Sequence, residues 1–179
     1  MKQLVRILLV LLGALCVTAC PMDIEKSLYI NIECNSPHSI GYLFSDENNI
    51  ERVIPEFDRP PEILGIGESE SNYMTRYSDG WAEFVTRFPN DTFSVFIFHA
   101  DTLNIYSWDQ IREEFKVLVR YDISAEDYYK FPGTDNNEMD ITIPYPPTES
   151  MKTVHMLPSY QEVMEQYLID CEKIAGRNN

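Results

Sequence analysis

Three histidines are the first place to look for acid–base or metal chemistry. His38, His99 and His155 are scattered, and none stands at metal-ligand spacing from another. His99 closes an apolar stretch, and Asp101 follows two residues later. A base at His99 beside Asp101 is the one hydrolytic arrangement that the spacing offers. A structural histidine is the competing reading. The acidic run Asp135-Asn136-Asn137-Glu138, with Asp140, has oxygen ligands for a weakly held calcium ion. It lacks the Asp/Asn alternation and the glycine of a calcium loop, so a solvated loop is the plainer account. The acidic pairs Glu113-Glu114 and Glu126-Asp127 fall where solvent and the helix dipole explain them. There is no glycine-rich phosphate loop and no nucleophile elbow. The sequence therefore assigns no catalytic residue, no metal ligand and no cofactor. Trp81, Trp108 and the tyrosines could form a sugar-stacking platform, although Trp108 follows a helix cap, where burial is the simpler role.

These residues must be held by short elements. Leu28, Ile30 and Ile32 alternate with polar residues, which predicts a half-buried strand ending at Cys34. Asn35-Ser36-Pro37 reads as a turn and Ser39–Phe44 as the returning strand of a hairpin. Ile50–Pro55 reads as a short edge strand, residues 57–61 as a Pro-broken loop, and Glu68–Met74 as a polar edge strand. Trp81–Phe88 has apolar residues at mixed spacing and receives no assignment. Thr92–Ala100 is apolar on both faces, as a central strand should be. Ser107 with Gln110 is a capping box that opens a short helix through Glu114. Lys116–Ile123 alternates again, a brief helical turn starts at Ser124, and Met139–Tyr145 is the last strand, closed by Pro146-Pro147. Residues 148–157 look linker-like. Ser159 and Glu162 then cap an amphipathic helix with Val163, Met164, Tyr167, Leu168, Cys171 and Ile174 on one face and Gly176 as its stop. The expected fold is mainly β: an antiparallel β-sandwich with two short helices between late strands and a C-terminal amphipathic helix.

The start of the chain is of a different kind. Lys2 and Arg6 precede an apolar run, Ile7–Val17, too short to span a bilayer, for which about 20 apolar residues are needed. That is the pattern of an export signal. Val17-Thr18-Ala19-Cys20 resembles the lipobox of bacterial lipoproteins. The resemblance implies lipidation of Cys20, cleavage before it and acylation of the new amino group, giving a membrane anchor of more than one acyl chain. The expected organisation is a signal peptide over 1–19, a tether over 20–26, the sandwich domain over 27–147, and linker plus helix over 148–179. Cys34 and Cys171 then remain. An exported compartment permits a disulfide between them, and buried thiols are the alternative.

Cleavage also changes the charge. The 179-residue chain carries 14 basic and 29 acidic residues, a net −15. Removing Lys2 and Arg6 leaves 12 basic against 29 acidic residues, a net −17. Such a surface repels phosphate backbones, so nucleic acid is not an expected partner.

The series Phe96–Leu103, Tyr106–Arg112, Leu118–Asp127 and Ile141–Pro147 resembles that of small lipoproteins from Bacteroidota-type gut bacteria. His99 stands where that group usually has an acidic residue, and residues after Pro147 run past the group's usual end. The resemblance implies an envelope address rather than an activity. In its light, Asp23 and Glu25 after Cys20 favour display outside the outer membrane over a periplasm-facing domain. Asp101-Thr102-Leu103 resembles the short O-glycosylation motif of these organisms, with Thr102 as acceptor. Asn90-Asp91-Thr92 fits an N-glycosylation pattern but reads as a turn. The expected role is a membrane-anchored, non-catalytic interaction domain, with a carbohydrate-binding module or an unrecognised hydrolase as alternatives.

Overall fold

The computed structural model describes residues 26–45, 61–77, 80–134 and 139–177. The expected strand at 50–55, all of the loop at 57–61 except Pro61, the acidic run 135–138, Cys20 and the rest of the tether over 20–26 lie outside these residues, except Lys26, which is not tether but the first residue of a strand.

Eight strands form two sheets, one of three strands and one of five. In the smaller sheet, β1 (Lys26–Cys34) lies between β4 (Ser69–Tyr77) and β7 (Asp140–Tyr145). Its alternation works as read: Leu28, Ile30, Ile32 and Cys34 are buried, while Asn31 and Glu33 are half-buried and Tyr29 is exposed. The larger sheet runs β3 (Glu62–Leu64), β2 (Ile40–Phe44), β5 (Phe93–His99), β6 (Val119–Ile123), β8 (His155–Leu157), with every neighbour antiparallel. One apolar cluster draws on both sheets. It joins Leu28, Ile30 and Ile32 of β1 and Ile141 and Ile143 of β7 to Phe93, Val95 and Ile97 of β5.

Two expectations about pairing fail. β1 and β2 form no hairpin: residues 35–39 carry the chain from one sheet to the other, where β2 pairs with β3 and β5. Backbone bonds fix that passage, Cys34 N donating to Glu68 O and Asn35 N to Tyr145 O, both at about the ideal length. Alternation tells which face of a strand is buried but not which edges it pairs, and here both edges of β1 are taken by later strands. Nor is the sheet wholly antiparallel. β7 runs parallel to β1, with Ile30 opposite Ile141 and Ile32 opposite Ile143. A parallel pair needs a long crossover, and here the whole five-stranded sheet's central portion intervenes.

The helices close the open parts of this core. The unassigned stretch holds α1 (Trp81–Val85), entered through Gly80 at φ 82°, a conformation that favours glycine. Trp81, Phe84 and Val85 are buried, and the Trp81 indole donates to Ser124 O at 3.0 Å. Phe93 and Tyr128 complete an aromatic cluster around it. α2 (Ala100–Ile105) and α3 (Trp108–Glu113) lie on the other face of β5, where Phe96, Phe98 and Ile111 form a second buried cluster with Leu103 and Trp108 packed against it. The Ser107–Gln110 capping box at α3 is present as read, and the brief helical turn expected from Ser124 is a 3-10 segment over Ala125–Lys130 that opens on a Ser124–Asp127 capping box.

Residues 148–157 are not a bare linker. They contain a 3-10 turn, Glu149–Met151, and β8, and they bury Met151 and Val154 in the main core. α4 (Tyr160–Arg177) opens on Ser159, whose hydroxyl donates to Glu162 at 2.6 Å. Its burial is deepest near its N-terminus. Val163 is fully buried, Met164, Tyr167, Cys171 and Ile174 are half-buried, and Leu168 is exposed. The helix passes through Gly176 rather than stopping before it.

Candidate functional site

Two places gather polar or aromatic side chains in a way that could do chemistry. The first crosses three strands of the larger sheet. Ser94, Asp122 and His155 stand side by side on β5, β6 and β8, because the register pairs Ser94 with Asp122 and Asp122 with His155. The Ser94 hydroxyl donates to Asp122 Oδ1 at 2.6 Å, Arg120 Nη2 donates to Oδ2 at 2.9 Å, and His155 Nδ1 lies 2.8 Å from Oδ2. Asp122 is 2 % exposed and Ser94 is fully buried.

The constituents are those of a hydrolytic triad, but the order is wrong for one. A serine nucleophile needs a histidine to take its proton and a carboxylate behind that histidine. Here the carboxylate stands between the two, and the serine's proton is already committed to it. Burial of the Ser94 side chain also keeps substrate away. The arrangement instead neutralises a buried carboxylate with a guanidinium and satisfies its oxygens, which is what a charge at this depth requires.

The second place is the outer face of the three-stranded sheet. Tyr29 on β1 and Tyr73 on β4 are register partners. Their rings sit 5.7 Å apart, inclined at 63°, and they are 37 % and 52 % exposed. A register shift at Leu28/Tyr29 places Met74 toward the core, where it packs on the main cluster, and leaves Tyr73 outward. The next row of the same face is Ser71, Asn31 and Thr142, and Asp140 continues the tyrosine row. Aromatic rings beside hydroxyl, amide and carboxylate groups on a rigid sheet make a surface suited to holding a ligand and not to breaking its bonds.

The sequence-derived candidates are distributed as follows. His99 caps α2: its Nδ1 accepts from Asp101 N at 3.1 Å, and its ring packs against His38 at 4.6 Å. Asp101 is exposed at the first turn of α2, its carboxylate 3.9 Å from that ring nitrogen, so the pair is explained by the helix terminus. Thr102 is half-buried in α2. Trp81 is fully buried and Trp108 packs on Phe98, so neither tryptophan offers a platform to solvent. Cys34 and Cys171 are free thiols, and both lie near enough to Tyr145 to act on its phenol. Cys34 is its register partner, and burial, then Asp170, Tyr167 and the two cysteines push the Tyr145 phenol well above its ordinary value. Cys34 Sγ donates to His38 O at 3.2 Å. Asp170 is held below the usual carboxylate range. Burial opposes this, while hydrogen bonds from Gln166 and Lys173 and the nearby His38 outweigh it. Among the described residues, no three His, Cys, Asp or Glu side chains gather as metal ligands, and no helix is long and apolar enough to cross a membrane.

Comparison with family models, with curated proteins and with solved structures returned no match for this chain.

Sequence reading missed both places for one reason: each depends on register between distant strands. Arg120 and Asp122 alternate with Val119 and Tyr121 and so read as solvent-facing. The usable signal was on the neighbouring strand, where Phe96 and Phe98 on that same side demand a covering layer.

Proposed function

We propose that this chain is a lipid-anchored, non-catalytic binding module of a bacterial envelope, held to the outer membrane through Cys20 and facing the exterior. The two sheets with their shared core read as a β-sandwich, and the three-stranded sheet turns its outer face to the ligand. The observation that carries the binding reading is the exposed Tyr29–Tyr73 pair on a rigid, polar sheet. The residues that could have supported hydrolysis have structural occupations instead: His99 caps a helix and Ser94 is sealed against Asp122. The basic, apolar and Val17-Thr18-Ala19-Cys20 segments support the anchor, and Asp23 and Glu25 support surface display. The same export makes Thr102 the proposed O-glycan acceptor, checked by loss of glycan mass in Thr102→Ala.

The test is on cells. Cys20→Ala moves the chain from the membrane pellet to the soluble fraction, and protease added to intact cells removes the domain from the wild type. A chain that still pellets overturns the anchor, and a protected domain overturns the surface orientation.

A further inference from the structure

We infer that the Tyr29–Tyr73 face binds an uncharged pyranose of a neutral glycan. The inference deepens the binding-module reading and rests on it.

The rings lie 5.7 Å apart and 63° from coplanar. They therefore form an angled seat for one sugar ring, not a flat track for several. A pyranose presents axial C–H groups on its faces and hydroxyls around its rim. The C–H groups are slightly positive and suit the negative π-face of a tyrosine. The rim meets donors and acceptors in the adjoining rows: Ser71, Asn31 and Thr142 in one, Asp140 beside Tyr29 in the other. Apolar stacking with a few directional polar groups is how small-ligand sites fix orientation.

Charge selects among ligands. None of these six side chains is basic, and the chain from Cys20 onward carries 12 basic against 29 acidic residues. Uronic acids, sulfated sugars and phosphates would be repelled by this net charge, and none of the six groups is a guanidinium or ammonium that could hold them. A cationic ligand would be attracted in general. However, the seat has two aromatic walls, not a closed cage, and three of its four polar groups are neutral. Hydroxyl-rich, uncharged chemistry fits this set best.

The experiment uses purified full-length protein in a detergent without a sugar headgroup. Electrophoresis runs through gels holding mixed-linkage β-glucan, mannan, xylan or amylopectin, with polygalacturonate and poly-lysine as charged controls. At least one neutral polysaccharide should retard the protein. Tyr29→Ala and Tyr73→Ala should each weaken that retardation roughly tenfold or more, while Tyr73→Phe keeps most of it. On unsubstituted protein, the retarding polysaccharide should also shield Tyr29 and Tyr73 from oxidative footprinting, which does not depend on a variant's folding.

Four results overturn the inference. Tyr-dependent binding to poly-lysine, or Tyr-dependent self-association through the β4 edge, removes the glycan and leaves the binding face standing. Retardation that survives both alanine substitutions, without footprint protection, places the glycan elsewhere. No retardation in any neutral gel, no protection and no self-association removes the glycan and the binding face together.

Discussion

The two sheets treat their outer faces in opposite ways. On the five-stranded sheet, Phe96 and Phe98 lie under α2 and α3, and Ser94 and Asp122 beside them are buried and paired with each other and with Arg120, while His155 at the end of that row is exposed. On the three-stranded sheet, the corresponding outward row begins with two exposed tyrosines. One face is stabilised by its cover, and the other keeps large apolar rings in contact with water. Rings of this size ordinarily bury their surface, so a pair left exposed on an ordered sheet is where a binding surface is to be sought.

The contrast can be broken or sharpened by substitution. Phe98→Ala, in the covered face, should cost about 3–5 kcal/mol by denaturant unfolding, since it leaves a cavity between sheet and helices. A cost near that of a surface residue would mean that α2 and α3 are not docked. Asp122→Ala should come next, at about 3 kcal/mol, because it leaves the Arg120 charge without its carboxylate in a partly buried setting. Asp127 gives a smaller, pH-dependent contribution. Burial raises its pKa, but the Lys130 and Ser124 hydrogen bonds outweigh that and hold it below the usual carboxylate range. A depressed folded value means stability that is present above the unfolded pKa of about 3.9 and lost as pH falls through the folded value. Asp127→Asn should therefore flatten the acid limb of a stability–pH curve, and an unchanged limb would remove this carboxylate from the acid response. Tyr73→Ala, on the open face, should shift stability by less than about 1 kcal/mol, the scale of a cross-strand pair. A loss as large as that of Phe98 would show that the ring is a core residue and not a ligand contact. The thiols give the finest comparison: Cys171 should alkylate before the buried Cys34, and equal rates would show that Cys34 is not sealed in the core.

Local features were legible in the sequence where one segment contains its own explanation. Ser107 with Gln110, Ser124 with Asp127, and Ser159 with Glu162 announce helix starts within four residues, and all three are present. β5 shows its central place because both its faces are apolar. What failed needed partners far along the chain. β1 and β2 alternate correctly yet pair with other strands. Trp81, Phe84, Val85 and Phe88 have helical spacing over barely two turns, too little to separate a helix from a strand. β8 is three residues long, held by pairing with β6 and by the buried Met151 and Val154 before it. The tyrosine pair joins positions 29 and 73, and nothing near either residue points to the other.

The place of β1 has a mechanical consequence. If the proposed anchor at Cys20 holds the domain, drag from flow would reach the described structure at Lys26, the first residue of β1. From there the pull runs along β1. That strand lies in the middle of its sheet, bonded along one edge to β4 and along the other to β7. Its ladder bonds lie across the direction of pull, so they must fail together and not one after another, as they would in a peeled hairpin. Such a strand resists through a high barrier to rupture, a matter of rate and not of equilibrium stability. The two edges do not share the load equally. Along β4 the pairs cover nearly the whole strand, while along β7 they begin only at Tyr29, so the first residues to slip under tension are those between the tether and the tyrosine seat.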